Sequence, residues 1–338
     1  MKSIILGRRF AFALALAASL CGGSAGAQNQ ITIQIWGTTW QSVMQSLAGE
    51  FEKSTGIKVV PVTQASSGEG LVRLQNMRDA PTIDVYFTTS SVAERAVTDK
   101  KLFLPLPKAA LSNLGNVIPG ASAESWVAAY YYPVSIIWRP DLVKQPITSW
   151  GDLWDPRFAK KLGIPSVNMY QARMLLVAAL LNGGSVTNVE PGFAALQKLK
   201  PNVALFYSSD AAARQALAQG EIAVLIGPPS QAKRMRDQGV PVDIVSPKPA
   251  PMLFDVMTLV NTPRAVQAAR FIDFVLSKSS QDQISEKLNM APVHKDSKPA
   301  AEVARALPKS GDAVAFDEGP INANIAAWNE RFNREIAN

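Results

Sequence analysis

The first hundred residues alternate between two spacings of hydrophobic positions. Extended runs rich in β-branched residues occur at 31–36, 58–62 and 84–87. Each run is followed by a stretch with helical spacing, and in the first of these Val43, Leu47 and Phe51 recur every four residues. That spacing predicts a helix over 41–54, which Gly56 ends. Three repeats of strand and helix predict one doubly wound α/β unit.

The pattern changes at residues 126–138, a long apolar segment with Pro133 in its middle. Proline removes a ladder hydrogen bond, so we predict two strands with a break between them, where the chain can cross between domains. A second α/β unit follows, with predicted strands at 162–165, 203–206 and 222–226 and predicted helices at 170–181, 194–199, 211–218 and 231–237. Further extended segments are predicted at 242–246 and 252–260, and amphipathic helices at 264–276 and 321–336.

The first 27 residues have the three parts of a secretory signal peptide. Lys2, Arg8 and Arg9 form a basic start, residues 10–20 are apolar, and Ala25-Gly26-Ala27 provides a small-residue cleavage site. We therefore expect residues 1–27 to be removed on export to a Gram-negative periplasm. Two alternatives stay open here: Arg8-Arg9 as a twin-arginine signal, and Cys21 as a lipid acceptor.

Removal of the signal peptide changes the charge and the cysteine content. The full chain has 338 residues and a net charge of +7; cleavage after Ala27 leaves 311 residues and, without three basic residues, a charge of +4. Cys21, the one cysteine, leaves with the signal peptide. A charge of +4 without a basic stripe argues against a nucleic-acid partner. One histidine and no remaining cysteine exclude a Cys/His zinc cluster and a disulfide framework.

Three motifs that mark phosphate, dinucleotide or catalytic zinc sites are also missing from the chain. It contains no phosphate-binding P-loop, no G-x-G-x-x-G after a strand and no H-E-x-x-H. The single histidine, His294, lies in a predicted loop, where a solvated side chain is the alternative to a catalytic base. We therefore predict a protein that is not an enzyme. An enzyme on the same fold and an exported scaffold or adhesin are the competing classes.

Hydroxyl-rich turns recur between a predicted strand and a predicted helix. They are Ser66-Ser67-Gly68, Thr88-Thr89-Ser90-Ser91 and Ser208-Ser209-Asp210. In an open α/β sheet, ligands bind at the carboxyl ends of strands, against helix N-termini that favour polar or anionic groups. Each hydroxyl could instead serve only as a helix N-cap. Three such turns, drawn from both α/β units, predict a shared cleft.

Aromatic residues occur at the ends of the same strands. Trp36 ends the first predicted strand, Trp40 follows it, and Tyr207 ends a strand of the second unit. Tyr130 to Tyr132 lie at the proposed crossing, and because strand side chains alternate, at most two of them face one way. Aromatic rings in these places can stack on a ligand, with core packing as the alternative.

Four segments resemble a known family. They are LAGEFEKSTGIKVV at 47–60, TSWGDLWDPRF at 148–158, FYSSDAAARQALAQGE at 206–221 and the tail AWNERFNREI. In order and spacing they are similar to the periplasmic solute-binding proteins of ABC importers, of type II architecture, in the cluster that binds polyamines, ferric iron or phosphonates. The resemblance spans residues 31–338.

The resemblance implies a two-lobed α/β fold, in which each lobe is a mixed sheet flanked by helices and two strands form a hinge. Lobe 1 is then expected at 31–132 plus 254–290, and lobe 2 at 133–252. Residues 291–338 are expected to form a tail whose helix packs across lobe 2. The implied role is capture of one small solute and its delivery to a membrane permease.

The resemblance also directs attention to individual residues. Trp36 and Tyr132 match aromatics that enclose the ligand in polyamine-binding members, and Asp255 approximately matches an acidic residue on the return strand. The acidic strand end of those members is replaced here by Pro165-Ser166-Val167-Asn168, and Tyr207 lacks the adjacent tyrosine of iron-binding members. A carboxylate, phosphonate or zwitterion is therefore the preferred solute, with a polyamine and then ferric iron as alternatives.

These considerations give one set of candidate ligand-binding residues, with no catalytic or metal-binding residue and no cofactor. The set is Trp36, Trp40, Ser66, Ser67, Thr89, Ser90, Tyr132, Tyr170, Tyr207, Ser208 and Asp255. The expected partners are a small-molecule solute and an ABC permease in the inner membrane, and the protein is expected to be a monomer.

Overall fold

A computed structural model describes residues 29–37, 39–309 and 311–337. The predicted signal peptide, with Cys21 and both of its alternative interpretations, lies outside the described residues. In the part that is described, no helix is both long and apolar enough to cross a bilayer.

The described residues form two β-sheets flanked by helices. The strands are β1 (Gln30–Trp36), β2 (Lys58–Gln64), β3 (Val85–Thr89), β4 (Phe103–Leu104), β5 (Trp126–Pro133), β6 (Ser135–Trp138), β7 (Leu162–Pro165), β8 (Val203–Tyr207), β9 (Val224–Gly227), β10 (Asp243–Val245), β11 (Ala250–Val260) and β12 (Ala313–Val314). The α-helices are α1 (Thr39–Thr55), α2 (Ser67–Asn76), α3 (Ser90–Ala96), α4 (Arg173–Leu181), α5 (Glu190–Leu199), α6 (Asp210–Gln219), α7 (Pro229–Asp237), α8 (Ala265–Val275), α9 (Lys278–Leu288), α10 (Ala301–Ala306) and α11 (Glu318–Phe332).

The first sheet has the strand order β12-β11-β3-β1-β2, and β4 and β5 also pair with β11. Strand β1 runs parallel to β2 and β3, whereas β11 is antiparallel to β3 and β5. Strand β1 coincides with the extended run predicted at 31–36, and its alternating residues Ile31, Ile33 and Ile35 are all fully buried. They pack with Val43, Leu47 and other apolar residues of α1, and this packing forms the core of the first sheet.

The second sheet has the order β10-β6-β9-β7-β8. Strands β8 and β9 both run parallel to β7, so the carboxyl ends of these three strands lie at the same end of the sheet. Strand β6 is antiparallel to β9 and to β10, and β10 forms the other edge of the sheet. The mixed pairing in both sheets agrees with the predicted α/β class.

The chain crosses between the sheets at two places. Strand β5 ends at Pro133 in the first sheet and β6 begins at Ser135 in the second, which confirms the break predicted within 126–138. The chain returns between Val245, the end of β10, and Ala250, the start of β11. Met252 already pairs with Pro133 of the first sheet. The exact lobe boundaries stay a prediction.

Local chemistry explains where α1 ends. Gly56 adopts a left-handed conformation with φ of 72°, and its N–H donates to the Glu52 carbonyl at 2.8 Å. Glycine takes this conformation without a steric cost, so it ends the helix one residue beyond the predicted bound. Helices α9 and α10 were not predicted from the sequence.

The C-terminal helix α11 contacts elements of both sheets. Asn322 Nδ2 donates to the Ser91 carbonyl at 2.9 Å, and Ser91 belongs to α3, a helix on the first sheet. Arg331 forms an ion pair with Glu190 of α5, on the second sheet. The helix was expected to pack across lobe 2, and it contacts the first half of the molecule as well.

Candidate functional site

A cavity of about 720 Å³ lies between the two sheets, and we call it the cleft. From elements of the first sheet it is lined by Trp36, Trp40, Gln64, Ser66, Thr89, Tyr132 and Asp255. From elements of the second sheet it is lined by Tyr170, Ser208, Asp210, Arg214, Gln231 and Arg234. An adjoining cavity of about 800 Å³ shares part of this lining and extends to α11. Both halves of the molecule therefore contribute side chains to one site.

A buried carboxyl group occupies the first-sheet side of the cleft. Asp255 lies on β11, 6% exposed, and pairs in register with Tyr130 of β5. The Tyr130 hydroxyl donates to Asp255 Oδ2 at 2.7 Å, and the Tyr132 hydroxyl donates to Oδ1 at 3.4 Å. Tyr130 and Tyr132 are two residues apart on β5, so their side chains share a face. Burial raises the pKa of Asp255 to about 7, although both hydroxyl donors act against that shift.

Two tryptophans lie beside this carboxyl group. Trp40, in the first turn of α1, stacks on Tyr130 with ring centroids 4.8 Å apart and an interplanar angle of 9°. Trp36, the last residue of β1, lies 6.2 Å from Trp40 at 54°. Both tryptophans are half-buried, and each keeps ring surface on the cleft. Aromatic faces next to a carboxylate form a suitable environment for an organic ammonium group.

Two buried, hydrogen-bonded amide side chains also lie on the first-sheet side of the cleft. Gln34 Nε2 donates to Gln64 Oε1 at 2.9 Å, and Gln64 Nε2 donates to the Phe87 carbonyl at 2.8 Å. Gly70 of α2 makes room for the pair, because a Cβ there would lie 1.8 Å from Gln64 Oε1 and 2.4 Å from Gln34 Nε2. Gln64 is thereby fixed at the edge of the cleft.

The second-sheet side carries two cations and a carboxylate. Arg214 and Asp210 lie one turn apart on α6, and Arg234 lies on α7. Gln231 Nε2 donates to Asp210 Oδ2 at 2.7 Å, and Arg214 Nη1 donates to Gln231 Oε1. Burial lowers the pKa of Arg234, and the positive charge of Arg214 lowers it further, so the two guanidinium groups repel each other.

Tyr170 enters the cleft from an unusual backbone turn. Tyr170, Gln171 and Ala172 have φ values of 49°, 53° and 61°, all in the left-handed region. The Tyr170 hydroxyl donates to Asp210 Oδ1. Gly227 leaves space for that hydroxyl, since a Cβ at 227 would lie 3.1 Å from it. The sequence predicted a regular helix from residue 170, whereas α4 begins at Arg173.

The structure brings most of the predicted site residues to the cleft. Those that line it are Trp36, Trp40, Ser66, Thr89, Tyr132, Tyr170, Ser208 and Asp255. Ser67 lines the adjoining cavity, and Ser90 lines a separate cavity of about 630 Å³ between α3 and the start of α11. Tyr207 lines none of these three cavities: it is 3% exposed, and its hydroxyl donates to the Ile226 carbonyl. Of the two candidate tyrosines in the second half of the molecule, Tyr170 therefore lines the cleft and Tyr207 does not. Ligand contact by these residues stays a prediction.

Two of the hydroxyl-rich turns also act as helix caps. Ser66 Oγ accepts from the Glu69 N–H at 3.1 Å, and Ser209 Oγ accepts from the Ala212 N–H at 3.5 Å. Thr89 makes no side-chain cap hydrogen bond and lines the cleft. Helix capping thus explains one hydroxyl group in each of two turns, Ser66 and Ser209. In the third turn, Thr89 does not cap a helix through its side chain and lines the cleft.

Several lining residues were missed from the sequence, chiefly Gln64, Asp210, Arg214, Gln231 and Arg234. One signal was available, since Asp210 and Arg214 are four residues apart in a predicted helix that follows a hydroxyl-rich turn. Among the described residues, no group of three or more His, Cys, Asp or Glu side chains is placed to hold a metal ion.

Comparison with known proteins places this cleft in context. The family model of bacterial extracellular solute-binding proteins matches residues 46–309. A gamma-aminobutyric acid-binding protein of Pseudomonas aeruginosa is 27% identical over 304 residues, which cover 86% of this chain and 83% of the relative. The spermidine/putrescine-binding periplasmic protein of Escherichia coli is 24% identical over 287 residues, covering 81% of this chain and 80% of the relative.

A third relative and a solved structure extend the comparison. A Salmonella paratyphi A protein provisionally named as a 2-aminoethylphosphonate-binding periplasmic protein is 28% identical over 294 residues, covering 83% of this chain and 85% of the relative. The crystal structure of an ABC transporter protein from Clostridium perfringens superposes with a TM-score of 0.76 at 25% identity, covering 90% of this chain and 99% of that one. The family, the two-lobed fold and the cleft between two sheets agree with one another.

Proposed function

The chain belongs to the bacterial extracellular solute-binding proteins, and from this premise we propose that its cleft captures a small zwitterion for an ABC transporter. The proposed solute has an ammonium group at one end and a carboxylate or phosphonate at the other. The observation that carries the proposal is the separation of charge across the cleft. The first half contributes Asp255, and the second half contributes Arg214 and Arg234.

The ammonium end binds at Asp255. Tyr130 and Tyr132 already donate to both carboxylate oxygens, and the rings of Trp36 and Trp40 lie beside them. A buried carboxylate without a nearby cation is costly, and an ammonium ligand provides the missing charge. Burial therefore makes the negative charge of Asp255 unfavourable, and a bound cationic group stabilises that charge.

The anionic end binds at Arg214 and Arg234. Burial lowers the pKa of Arg234 and the charge of Arg214 lowers it further, and an anion that lies between the two guanidinium groups relieves their repulsion. Guanidinium groups also bind carboxylates and phosphonates through paired, charge-assisted hydrogen bonds. Asp210 offsets part of the positive charge, so a single anionic group is sufficient.

The relatives fit this chemistry to different degrees. Gamma-aminobutyric acid and 2-aminoethylphosphonate, named for two of them, each join an amine to an anionic group through a short methylene chain. Spermidine and putrescine, named for another, carry only amines. A polyamine is the second candidate, because the cleft has two carboxylates, Asp210 and Asp255. Ferric iron ranks third: two tyrosines, Tyr132 and Tyr170, line the cleft, and among the described residues no group of three or more His, Cys, Asp or Glu side chains is placed to hold a metal ion.

The proposed setting follows the same family. One relative is a periplasmic protein, and one of the similar solved structures is that of an ABC transporter protein. We propose that this chain works in a Gram-negative periplasm after loss of residues 1–27 and delivers its solute to an inner-membrane permease. It acts as a monomer with no catalytic step. The predicted lobes, 31–132 plus 254–290 and 133–252, close on the solute.

Titration calorimetry on residues 28–338 tests the solute class. We expect 4-aminobutyrate or 2-aminoethylphosphonate to bind, and Arg234→Gln to weaken that binding at least tenfold through loss of a charge-assisted contact. Lys233→Gln is the matched control, because Lys233 is the preceding residue of α7 and pairs with Asp237 on the helix surface. Strong binding of putrescine that Arg234→Gln leaves intact would instead establish the polyamine alternative.

A further inference from the structure

We propose that the ion pair between Glu318 and Arg173 positions the ligand-binding side chains Tyr170 and Asp210, and so makes the C-terminal helix α11 part of the binding site. The inference rests on the proposed function, since it concerns the same cleft. Glu318 and Arg173 lie outside the lining of the cleft itself. The proposed route from this ion pair to the ligand is the turn at residues 170–172.

The turn cannot be explained by its own sequence. Tyr170, Gln171 and Ala172 follow one another in the left-handed region, and none is glycine or asparagine. Side chains with a Cβ rarely adopt this conformation, and they keep it only when the surrounding structure imposes it. An external constraint on residues 170–172 is therefore required.

Arg173 supplies that constraint from the turn's C-terminal side. It is 1% exposed, its Nη1 donates to the Gln171 carbonyl at 2.9 Å, and its Nη2 donates to Gln171 Oε1 at 3.2 Å. The guanidinium group thus holds both the backbone and the side chain of the central residue of the turn. A planar group with fixed donors fixes the orientation of what it binds.

Glu318 in turn fixes Arg173. Glu318 is the first residue of α11 and accepts from Arg173 Nη2, while the Phe316 ring lies 5.1 Å from the Arg173 guanidinium carbon. Loss of the carboxylate would leave a cation buried without its charge partner, which favours movement of Arg173 towards water. The turn would then lose the group that holds Gln171.

The turn transmits this arrangement to the cleft through Tyr170. The Tyr170 hydroxyl donates to Asp210 Oδ1, and Gln231 holds the other oxygen of Asp210 at 2.7 Å. A shift of residues 170–172 therefore moves one of the two groups that orient Asp210 beside Arg214. The effect reaches the ligand as a change in affinity.

Two observations separate positioning from simple stabilisation. First, Gln171 Nε2, Arg173 Nε and Glu318 Oε2 are buried and have no hydrogen-bond partner among the described residues. A network with unmet polar groups is a poor source of stability. Second, α11 is also attached by Asn322 to α3 and by Arg331 to α5, so it can stay docked when Glu318 is changed.

The test compares two substitutions that each remove one carboxylate from an ion pair of α11. Glu318→Gln breaks the pair with Arg173, and Glu190→Gln breaks the exposed pair with Arg331. With 4-aminobutyrate as the titrant in calorimetry, we expect Glu318→Gln to raise the dissociation constant at least tenfold and Glu190→Gln less than twofold. Equal effects of the two variants would overturn the proposal.

A double-mutant cycle identifies the route. In a Tyr170→Phe background, which lacks the hydroxyl on Asp210, we expect Glu318→Gln to change the dissociation constant less than twofold. An undiminished tenfold effect in that background would contradict transmission through Tyr170. A merely structural role would make the two substitutions additive.

A measurement without ligand keeps the two proposals separate. Hydrogen–deuterium exchange of peptides covering residues 166–173 should be faster in Glu318→Gln than in the parent protein, and unchanged in Glu190→Gln. If no zwitterion binds while this difference is observed, the proposed function fails and the constraint on the turn stands. If exchange is unchanged in Glu318→Gln, the positioning role is wrong whatever the ligand.

Discussion

Replacement of Asp255 by asparagine should make the protein more stable and abolish ligand binding. The side chain is 6% exposed, and burial raises the pKa of Asp255 to about 7, against about 3.9 for an unfolded aspartate. Asparagine has nearly the same shape and no charge. Its Oδ1 can accept from the Tyr130 hydroxyl, and its Nδ2 can donate to the Tyr132 hydroxyl. The substitution therefore removes the cost of a buried charge without opening a cavity.

The size and sign of the effect follow from proton linkage. The folded chain holds the Asp255 proton more tightly than the unfolded chain, so the free energy of unfolding falls as pH rises from about 4 to about 7. At about 1.36 kcal/mol per pKa unit, the raised pKa of Asp255 lowers the free energy of unfolding by about 4 kcal/mol at pH 8 and by about 1.5 kcal/mol at pH 5. Asp255→Asn should recover these amounts.

Urea unfolding at pH 5 and pH 8 measures the effect, with Asp237→Asn as the control. Asp237 is exposed and pairs with Lys233 on the surface of α7, so its replacement should change stability by less than about 1 kcal/mol at both pH values. A gain from Asp255→Asn that is equal at both pH values, or a loss at pH 8, would refute the assignment of a costly buried charge. Calorimetry on the same variant should show no binding of 4-aminobutyrate.

Three further substitutions test other parts of the site. Gly70→Ala places a Cβ 1.8 Å from Gln64 Oε1 and should destabilise the protein by about 1–3 kcal/mol in urea unfolding, whereas Gly68→Ala meets nothing closer than 4.0 Å and should be nearly neutral. Tyr207→Phe removes a buried hydroxyl bonded to a backbone carbonyl and should cost about 1 kcal/mol of stability with an unchanged dissociation constant. Trp36→Ala should weaken binding severalfold in calorimetry without unfolding the protein, and loss of folding would favour its core-packing alternative.

The regular elements of the fold were largely predictable because their patterns are local. Strand β7 was predicted with its observed bounds, Leu162–Pro165, and α1 within two residues at each end. The alternation of buried residues in a strand and the four-residue spacing of apolar residues in a helix are both properties of short segments. They can therefore be identified from the sequence without knowing which segments pack against them. Helix α9 was missed because its sequence, KSSQDQISEKL, is polar and its buried face is narrow.

The site was harder to predict because its chemistry depends on contacts between distant segments. The left-handed turn at 170–172 has no sequence signal, since no glycine or asparagine marks it. Tyr207 ends a strand as predicted, yet its hydroxyl donates to the Ile226 carbonyl of β9, which lies beyond β7 in the sheet, and not into the cleft. Which way a terminal side chain points depends on the neighbouring strand, which alternation within one strand does not specify.

The attachment of α11 to both halves restricts how the molecule can move. The two crossing segments lie together, with the Val134 N–H donating to the Pro251 carbonyl at 2.9 Å and the Ser135 and Ser246 hydroxyls 2.7 Å apart. If the two halves of the molecule were joined only by these two crossing segments, they could rotate about them. Helix α11 adds a third attachment, so separation of the halves requires the loss of specific hydrogen bonds and ion pairs. The residence time of a bound solute then depends on the strength of those bonds as well as on the contacts in the cleft.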